Sequence, residues 1–360
     1  MPKAEKVTTF TNVVCTVAET ELKAQIEMVD KSLTQSQNNR KTLQEDMRKE
    51  VGPKWQKFVG EVSKCPGPDV VQWEEVIEEK GFKADRSLSL GNGKFGAAYQ
   101  GKSKCGKDIA IKMVSFKTFQ TSHGIKDWDR QMKILLSFKH PKLNSIIKAF
   151  TVANTSKIYF ITIFAPKRSV QYIVDSTKRP IQTELAKMWT RDIAEAVAYL
   201  HSNGIAHRKI NPRKVLVKDM STNAKLAVPE GFVDLFNPQE PNTPAFKKAH
   251  KAIESPYSAY EALFGGSYDA SCADIWSIGA VLYFMLTKKA PFVYTRKQDK
   301  MKEEINKQRW QFAGTSDKGP KLDKDAKGFL AEIFQMEPSQ RPTAVELVTR
   351  PYLQFGDIPA

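Results

Sequence analysis

Cysteine and histidine are scarce in this sequence, and apolar runs are short. The 360 residues include four cysteines and five histidines. The cysteines lie too far apart for paired zinc ligands, a redox motif or a disulfide scaffold, at Cys15, Cys65, Cys105 and Cys272. The charged amino terminus, MPKAEK, is followed by no run of signal-peptide length, and we find no apolar stretch of about 18 residues. We therefore expect no membrane span and a reducing compartment: the cytoplasm, with the nucleus as the alternative.

Acidic residues are also few relative to basic ones. Lysine and arginine total 56 against 40 aspartates and glutamates, which gives a formal net charge of +16. The basic residues are spread along the chain without a basic tail or an Arg-Gly repeat, so a solvated basic surface is one interpretation. An anionic partner, such as nucleic acid, an anionic membrane or an acidic peptide, is the other. A basic nucleic-acid-binding module therefore stays open as a function.

The composition that remains is that of a folded protein, with 41% hydrophobic and 27% charged residues. Because single domains seldom exceed about 250 to 300 residues, the length predicts one large domain with an extension. We predict a helical extension over 1–66, a lead-in linker over 67–83, the main domain over 84–354 and a tail over 355–360. The cluster of helix breakers at 65–68, CPGP, sets the end of the extension.

The extension shows a short helical seam. Four apolar residues recur at intervals of four, three and four and therefore share one helical face: Leu22, Ile26, Val29 and Leu33. The register then meets Ser36 and Arg40 before Leu43 and Met47 restore it. Two interpretations stay open: a helix packed on the main domain, or a coiled-coil-like helix over 16–57 that mediates self-association or binds a partner. We expect Gly52 and Pro53 to interrupt the helix.

A glycine-rich segment opens the main domain. Residues 90–99, LGNGKFGAAY, lie between strand patterns, and Lys112 follows on the next strand. A lone G-x-G-x-x-G pattern is a weak signal, but here a strand follows the glycines instead of a helix, which disfavours a dinucleotide-binding fold. The combination resembles the Gly-rich loop and strand lysine of the eukaryotic protein kinase superfamily.

Further motifs carry the same resemblance in the same order over roughly 84–354. They are the segments at 135–141, 158–165, 198–201, 204–208, 274–279, 291–292 and 340–343. The strand patterns at 88–114 and the helical patterns from Glu184 onward agree with it. The resemblance implies an α+β fold with two lobes, a small β-rich one followed by a larger helical one, and it is closer to serine/threonine than to tyrosine kinases.

The resemblance also implies a nucleotide site. In this family the glycines and the strand lysine hold phosphates, and the strand that precedes the hinge carries a gatekeeper, here Thr162. The positions that match are Gly91, Gly93, Gly96, Ala98, Ala110, Lys112, Thr162, Ile163 and Ala165. ATP is the ligand implied.

The residues that perform catalysis in the family are replaced. Lys209 stands at the position of the catalytic base and Lys214 at that of a metal-binding Asn. An ammonium group donates hydrogen bonds but cannot accept one, so neither role survives. Asn211 falls where the family has a lysine, and it is only a weak candidate for a substitute metal ligand. Val228 occupies the position of the metal-binding Asp and cannot ligate a hard cation.

Four carboxylates nearby are candidate substitutes for the lost groups. Glu230 and Asp234 follow Val228 and are candidates to rescue metal binding. Gln131 stands where a helix normally supplies the Glu that pairs with the strand lysine, so that ion pair is weakened, and Asp127 and Asp129 are alternative partners. We therefore expect no intact catalytic set and no magnesium site.

The residues that support the helical lobe are retained. His207 and Arg208 match the catalytic-loop signature, and Asp274 matches the helix that supports it. Glu261 and Arg341 match a buried ion pair of the family, although Tyr260 stands where the family has Pro. The favoured interpretation is an inactive kinase-like scaffold or allosteric regulator with a protein partner, including an active kinase, that binds ATP without metal. An unorthodox but active ATP-dependent serine/threonine kinase is the alternative enzyme interpretation.

Overall fold

The computed structural model describes residues 35, 38–72, 75–93, 96–115, 117, 128–153, 155–220, 223–228, 233–235, 247–248, 256–264, 267–292, 297–307 and 322–354. The chain divides into two compact units, Met1–Met47 and Arg48–Ala360. In the first, residues 38–47 are helical, and Leu43 is 47% exposed. The seam predicted from Leu22 to Leu33 lies outside the described residues.

Helix α1 comprises residues 38–63. It continues through Gly52 and Pro53, so the predicted interruption is wrong. Proline removes one backbone hydrogen bond of a helix, and burial of Val51 and Trp55, at 4% and 3% exposure, offsets that loss. The helix ends at residue 63, two residues before the first residue of the CPGP cluster.

The smaller lobe is built on a six-stranded sheet. Its strands are β1 (Asp69–Val71), β2 (Phe82–Gly93), β3 (Gly96–Ser103), β4 (Asp108–Ser115), β6 (Ile146–Val152) and β7 (Lys157–Ile163). They lie in the order β1-β6-β7-β4-β3-β2, with β1 parallel to β6 and the other pairs antiparallel. Helix α2 (Glu75–Glu79) follows β1, and α3 (Trp128–Ser137) follows β4. The predicted β-rich lobe is therefore confirmed.

The segment predicted to be a linker, 67–83, belongs to this lobe. Val71 on β1 and Ile77 on α2 are each 3% exposed. They pack in one cluster with the buried face of the sheet: Ile109, Ile111, Phe150, Val152, Tyr159 and Ile161. The description of the whole segment as a linker is thus wrong, because its apolar side chains cover one face of the sheet.

The larger lobe is helical. Its helices are α4 (Val170–Thr177), α5 (Thr183–Ser202), α6 (Tyr260–Phe264), α7 (Ala270–Thr287), α8 (Gln298–Asn306), α9 (Lys324–Ile333) and α10 (Ala344–Thr349). Short strands accompany them: β5 (Leu143–Asn144), β8 (Ile205–Ala206), β9 (Val215–Val217), β10 (Ala224–Ala227), β11 (Val233–Asp234), β12 (Lys247–Lys248) and β13 (Ser267–Tyr268). This confirms the two-lobed α+β fold.

Helix α7 forms the centre of the larger lobe. Among the described helices it alone is long and apolar enough to cross a membrane by length and composition, so the expectation of no such stretch was wrong. In this fold 94% of its 18 residues are buried, which is also what the core helix of a soluble protein shows. Trp276 on α7 packs against Phe292 and Phe334, with ring centroids 5.3 and 5.0 Å apart.

Candidate functional site

A cleft of about 390 Å³ lies between the two lobes. This volume is in the range of small-molecule sites. The cleft is lined by Leu90, Ala98, Ala110, Lys112, Asn144, Ile146, Phe160, Thr162, Ile163, Phe164, Ala165, Arg168, Ser169, Gln171, Tyr172, Asp175, Arg213, Lys214, Leu216, Ala227 and Val228. Six of the nine predicted nucleotide positions are among them.

The alternation of strand residues explains which side chains reach the cleft. Ala110 and Lys112 are two residues apart on β4, so they share one face of the sheet. Phe160 on β7 is paired with Lys112, and Thr162 with Ala110. Ala98 on β3 is the other partner of Lys112. These side chains all line the cleft, whereas the intervening residues of β4 and β7 point to the covered face.

The three predicted glycines lie at the β2–β3 hairpin and are not among the lining residues. Gly91 and Gly96 have φ angles of 143° and 151°. A Cβ on Gly96 would lie 1.9 Å from the carbonyl oxygen of Met113, so only glycine allows the hairpin to approach β4 this closely. Gly93 pairs with Gly96 across the hairpin. The glycines thus shape the strand pair above the cleft.

The segment after β7 forms one wall of the cleft. Arg168 adopts a left-handed φ of 62°, and its guanidinium lies 4.6 Å from the centre of the Tyr172 ring. The same side chain donates a hydrogen bond of 3.4 Å to the carbonyl of Ser89. Ser169 caps α4 by accepting a bond from the Tyr172 N–H at 3.2 Å. Arg168 therefore contacts both lobes at the edge of the cleft.

Asp274 on α7 holds the loop after β8 in place. Its carboxylate accepts hydrogen bonds from the N–H groups of His207 and Arg208, both at 2.7 Å. The ring of His201 lies within hydrogen-bonding distance of it, at 3.0 Å. Arg208 has a φ of 65° and donates to the Tyr268 hydroxyl at 3.1 Å. Because Asp274 is 1% exposed, these bonds form inside the lobe and fix the loop firmly.

Asn211 makes side-chain hydrogen bonds within the loop that follows His207 and Arg208. The Asn211 amide donates to the Lys209 carbonyl and accepts from the Arg213 N–H, each at 3.0 Å. Its backbone carbonyl accepts from the Lys214 N–H at 2.9 Å, and the Lys214 carbonyl accepts from the Ala227 N–H at 2.8 Å. The side chain of Asn211 is therefore committed to the loop, which argues against its use as a metal ligand.

A family model of the protein kinase domain matches residues 85–353. The chain belongs to the protein kinase family. The family predicted from the ordered motifs is therefore confirmed.

Similar proteins include plant and nematode kinases. CBL-interacting protein kinase 16 of Oryza sativa subsp. japonica is 25% identical over 75% of this chain. Serine/threonine-protein kinase kin-29 of Caenorhabditis elegans is 25% identical over 76%, and CBL-interacting serine/threonine-protein kinase 5 of Arabidopsis thaliana 26% over 77%. The chain spans 56%, 31% and 59% of the lengths of these three relatives, in the same order as above. The second and third of these relatives are described as serine/threonine-protein kinases, in agreement with the predicted subclass.

The two positions that hold metal ligands in the kinase family carry other side chains here. Lys214 and the buried Val228 line the cleft at the positions of the two family ligands, and neither side chain offers an oxygen atom. Glu230 and the side chain of Asp234 lie outside the part of the chain that the structure describes. Within the part of the chain that the structure describes, no three His, Cys, Asp or Glu side chains converge on one point. The residues described do not fit a magnesium ion held as in an active kinase.

The helix that should support the strand lysine also differs from the family pattern. Gln131 lies half-buried on α3, at the position of the family Glu. The proposed substitute Asp129 instead pairs with Lys133 at 2.8 Å, and its side chain is 68% exposed. Asp127 lies outside the described residues.

The structural ion pair of the kinase fold is present. Arg341, whose side chain is 0% exposed, donates to both oxygens of Glu261 at 2.5 and 2.9 Å. It also donates to the carbonyls of Cys272 and Gln335. Its guanidinium lies 4.8 Å from the centre of the Trp276 ring. The prediction that these two residues pair is correct.

The sequence predicted part of the positive charge of the cleft, at Lys112 and Lys214, but not the contribution of Arg168 and Arg213. Four basic residues line it: Lys112, Arg168, Arg213 and Lys214. The acidic residue of the lining is Asp175, whose oxygens accept bonds from Gln171 at 3.0 and 3.1 Å. Arg168 and Arg213 lie in loops, where no periodic pattern tells which way a side chain points. In the sequence, only their positions next to the hinge and the catalytic loop indicated that these two arginines could line the cleft.

Proposed function

We propose that this protein is a catalytically inactive kinase fold that serves as a scaffold or allosteric regulator and binds ATP without a metal ion. The observation that carries the proposal is the pair Lys214 and Val228, which line the cleft at the two positions of metal ligands. An ammonium and an alkyl group cannot hold magnesium, and Lys209 cannot accept the proton of a substrate hydroxyl. A kinase fold that lacks this chemistry acts by binding.

The cleft suits an adenine nucleotide. Apolar side chains of Leu90, Ala98, Ala110 and Leu216 line it and would accept the flat faces of a base. Lys112 and Lys214 would supply positive charge to the phosphates, in part replacing the cation. When bound, ATP would supply no phosphoryl group to a substrate in this proposal. Its role would be to stabilise one arrangement of the lobes for a protein partner, an active kinase among the candidates.

Thermal unfolding of the full chain with ATP tests the binding proposal. We expect millimolar ATP to raise the unfolding midpoint equally in EDTA and in magnesium, because a ligand of the folded state stabilises it by mass action. Lys112→Ala should abolish the rise. Lys102→Ala is the matched control, since it removes the same charge from β3 outside the cleft. No stabilisation in EDTA would end the metal-free proposal.

A phosphoryl-transfer assay tests the loss of catalysis. We expect no transfer from labelled ATP to a generic protein substrate with magnesium or manganese. Turnover that disappears in Lys112→Ala would show an unorthodox active kinase and overturn the proposal. The two assays are independent, so nucleotide binding and inactivity succeed or fail separately.

A further inference from the structure

Residues 48–63 of α1 carry an apolar stripe that the sequence reasoning did not single out. Val51, Trp55, Phe58 and Val62 recur at intervals of four, three and four, which places them on one face. Val51, Trp55 and Val62 are at most 4% exposed, and Phe58 is half-buried. The intervening Gln56 and Lys57 are exposed. This part of the helix is therefore packed against the kinase fold by one side only.

On the smaller lobe the stripe meets α3 and the residue after it. The Phe58 ring stacks on Phe138, with centroids 6.1 Å apart and planes 7° from parallel. Phe138 directly follows α3 and is 0% exposed. Lys133 on α3 donates a hydrogen bond of 3.3 Å to the carbonyl of Ser63 at the end of α1. These contacts attach the carboxyl-terminal half of residues 48–63 to α3.

On the larger lobe the same helix meets the segment that leads into the catalytic loop. Trp55 lies against Gly204, so closely that an added Cβ would be 2.4 Å from Trp55 Cδ1. Gly204 immediately precedes β8 and lies three residues before His207. Near the start of the segment, Arg48 forms an ion pair with Asp269, the residue that caps α7. One helix therefore contacts α3 in one lobe and the catalytic-loop support in the other.

We propose that residues 48–63 brace the two lobes. The groove that they fill is a docking surface for an amphipathic helix that carries a Trp and a Phe three residues apart, here Trp55 and Phe58. In this chain the surface is occupied by the chain's own segment. Because α3 carries Gln131 and β8 leads to His207, the docked helix sets the position of α3 relative to the catalytic loop. This inference does not depend on nucleotide binding.

Amide hydrogen exchange of the full chain tests the brace without any ligand. In Trp55→Ala/Phe58→Ala we expect the amides of α3 to exchange at least about tenfold faster, with α7 still protected. Gln56→Ala/Lys57→Ala is the matched control on the exposed side of the helix and should leave α3 unchanged. If the amides of α1 exchange faster in the first variant while those of α3 do not, the proposed brace is overturned.

A milder variant and a peptide complete the test. The double alanine variant could also lose protection in α7. In that case Trp55→Phe/Phe58→Leu is compared in the same way, and its α3 amides should exchange faster while α7 stays protected. A synthetic peptide of residues 44–66, added to the first variant that keeps α7 protected, should restore protection of α3. The same peptide with Trp55 and Phe58 replaced by alanine should not. Equal effects of the two peptides would contradict a specific docking surface.

Discussion

Arg341 donates two hydrogen bonds to Glu261 from a side chain with no exposed surface. Removing one partner of a buried ion pair leaves the other charge without compensation, so Glu261→Ala should lower the free energy of unfolding by about 3–5 kcal/mol. Urea unfolding measures this change. Lys307→Ala provides the control, because it breaks an ion pair with Glu303 in which both side chains are more than half exposed and should change stability by about 0–1 kcal/mol. Similar losses in both variants would contradict the structural role of the buried pair.

Restoring the two family ligands should restore metal dependence. In Lys214→Asn/Val228→Asp we expect ATP to bind at least about tenfold more tightly with magnesium than in EDTA, since both new side chains offer oxygen ligands. The unfolding midpoint should therefore rise more with ATP and magnesium than with ATP and EDTA. Lys214→Asn alone should not show this preference. The midpoint without ATP must be compared as well, because Val228 is buried and a carboxylate there is destabilising by itself. Equal ATP binding with and without magnesium in the double variant would mean that other groups define the site.

Stability should fall as the solution is acidified below the ordinary pKa of histidine. Burial lowers the pKa of His140 below its usual 6.5; Lys142 and Lys225 add to this effect, and Glu195 opposes it. The folded chain therefore binds this proton less readily than the unfolded chain. The contribution of His140 is fully present above about pH 6.5 and is lost as the pH falls through that value towards the lower folded pKa.

His140→Asn separates this effect from other titrations. The side-chain oxygen of asparagine can still accept the Lys142 N–H that the His140 Nδ1 accepts at 3.2 Å, but it does not titrate. The variant should lose less of its thermal midpoint between neutral pH and about pH 5.5 than the parent chain does. An equal loss in both chains would assign the pH dependence to other groups.

Gly204 should tolerate no side chain while Trp55 is present. Its φ of 70° strains any L residue by about 1–2 kcal/mol, and the added Cβ would also overlap the indole. Gly106→Ala isolates the first effect, because Gly106 has a φ of 76° and no neighbour within 4 Å of the added atom. We expect Gly204→Ala to reduce the free energy of unfolding clearly more than Gly106→Ala.

A double-mutant cycle with Trp55→Ala checks the contact directly. The loss caused by Gly204→Ala should shrink once the indole is removed, with a coupling free energy of about 0.5–3 kcal/mol. Chemical unfolding of the four chains provides the values. Strictly additive losses would place the two residues out of contact.

The ordered motifs were sufficient for features that the resemblance to the kinase family implies. These are the two lobes and the Glu261–Arg341 pair, and the structure contains both. The parallel pairing of β1 with β6 was missed, since a three-residue strand carries no periodic signal and its partner begins 75 residues after β1 ends. The helix was wrongly expected to break at Pro53, because packing of distant residues overrides a local preference.

The layer formed by β1 and α2 has a practical consequence for fragments of this protein. A chain shortened to the start of the kinase match at residue 85 would leave Ile109, Ile111, Tyr159 and Ile161 without the cover of Val71 and Ile77. The uncovered face would be a contiguous apolar patch on a twisted sheet, a surface that promotes association between molecules. We therefore expect a fragment that begins before β1 to associate less than one that begins at residue 85.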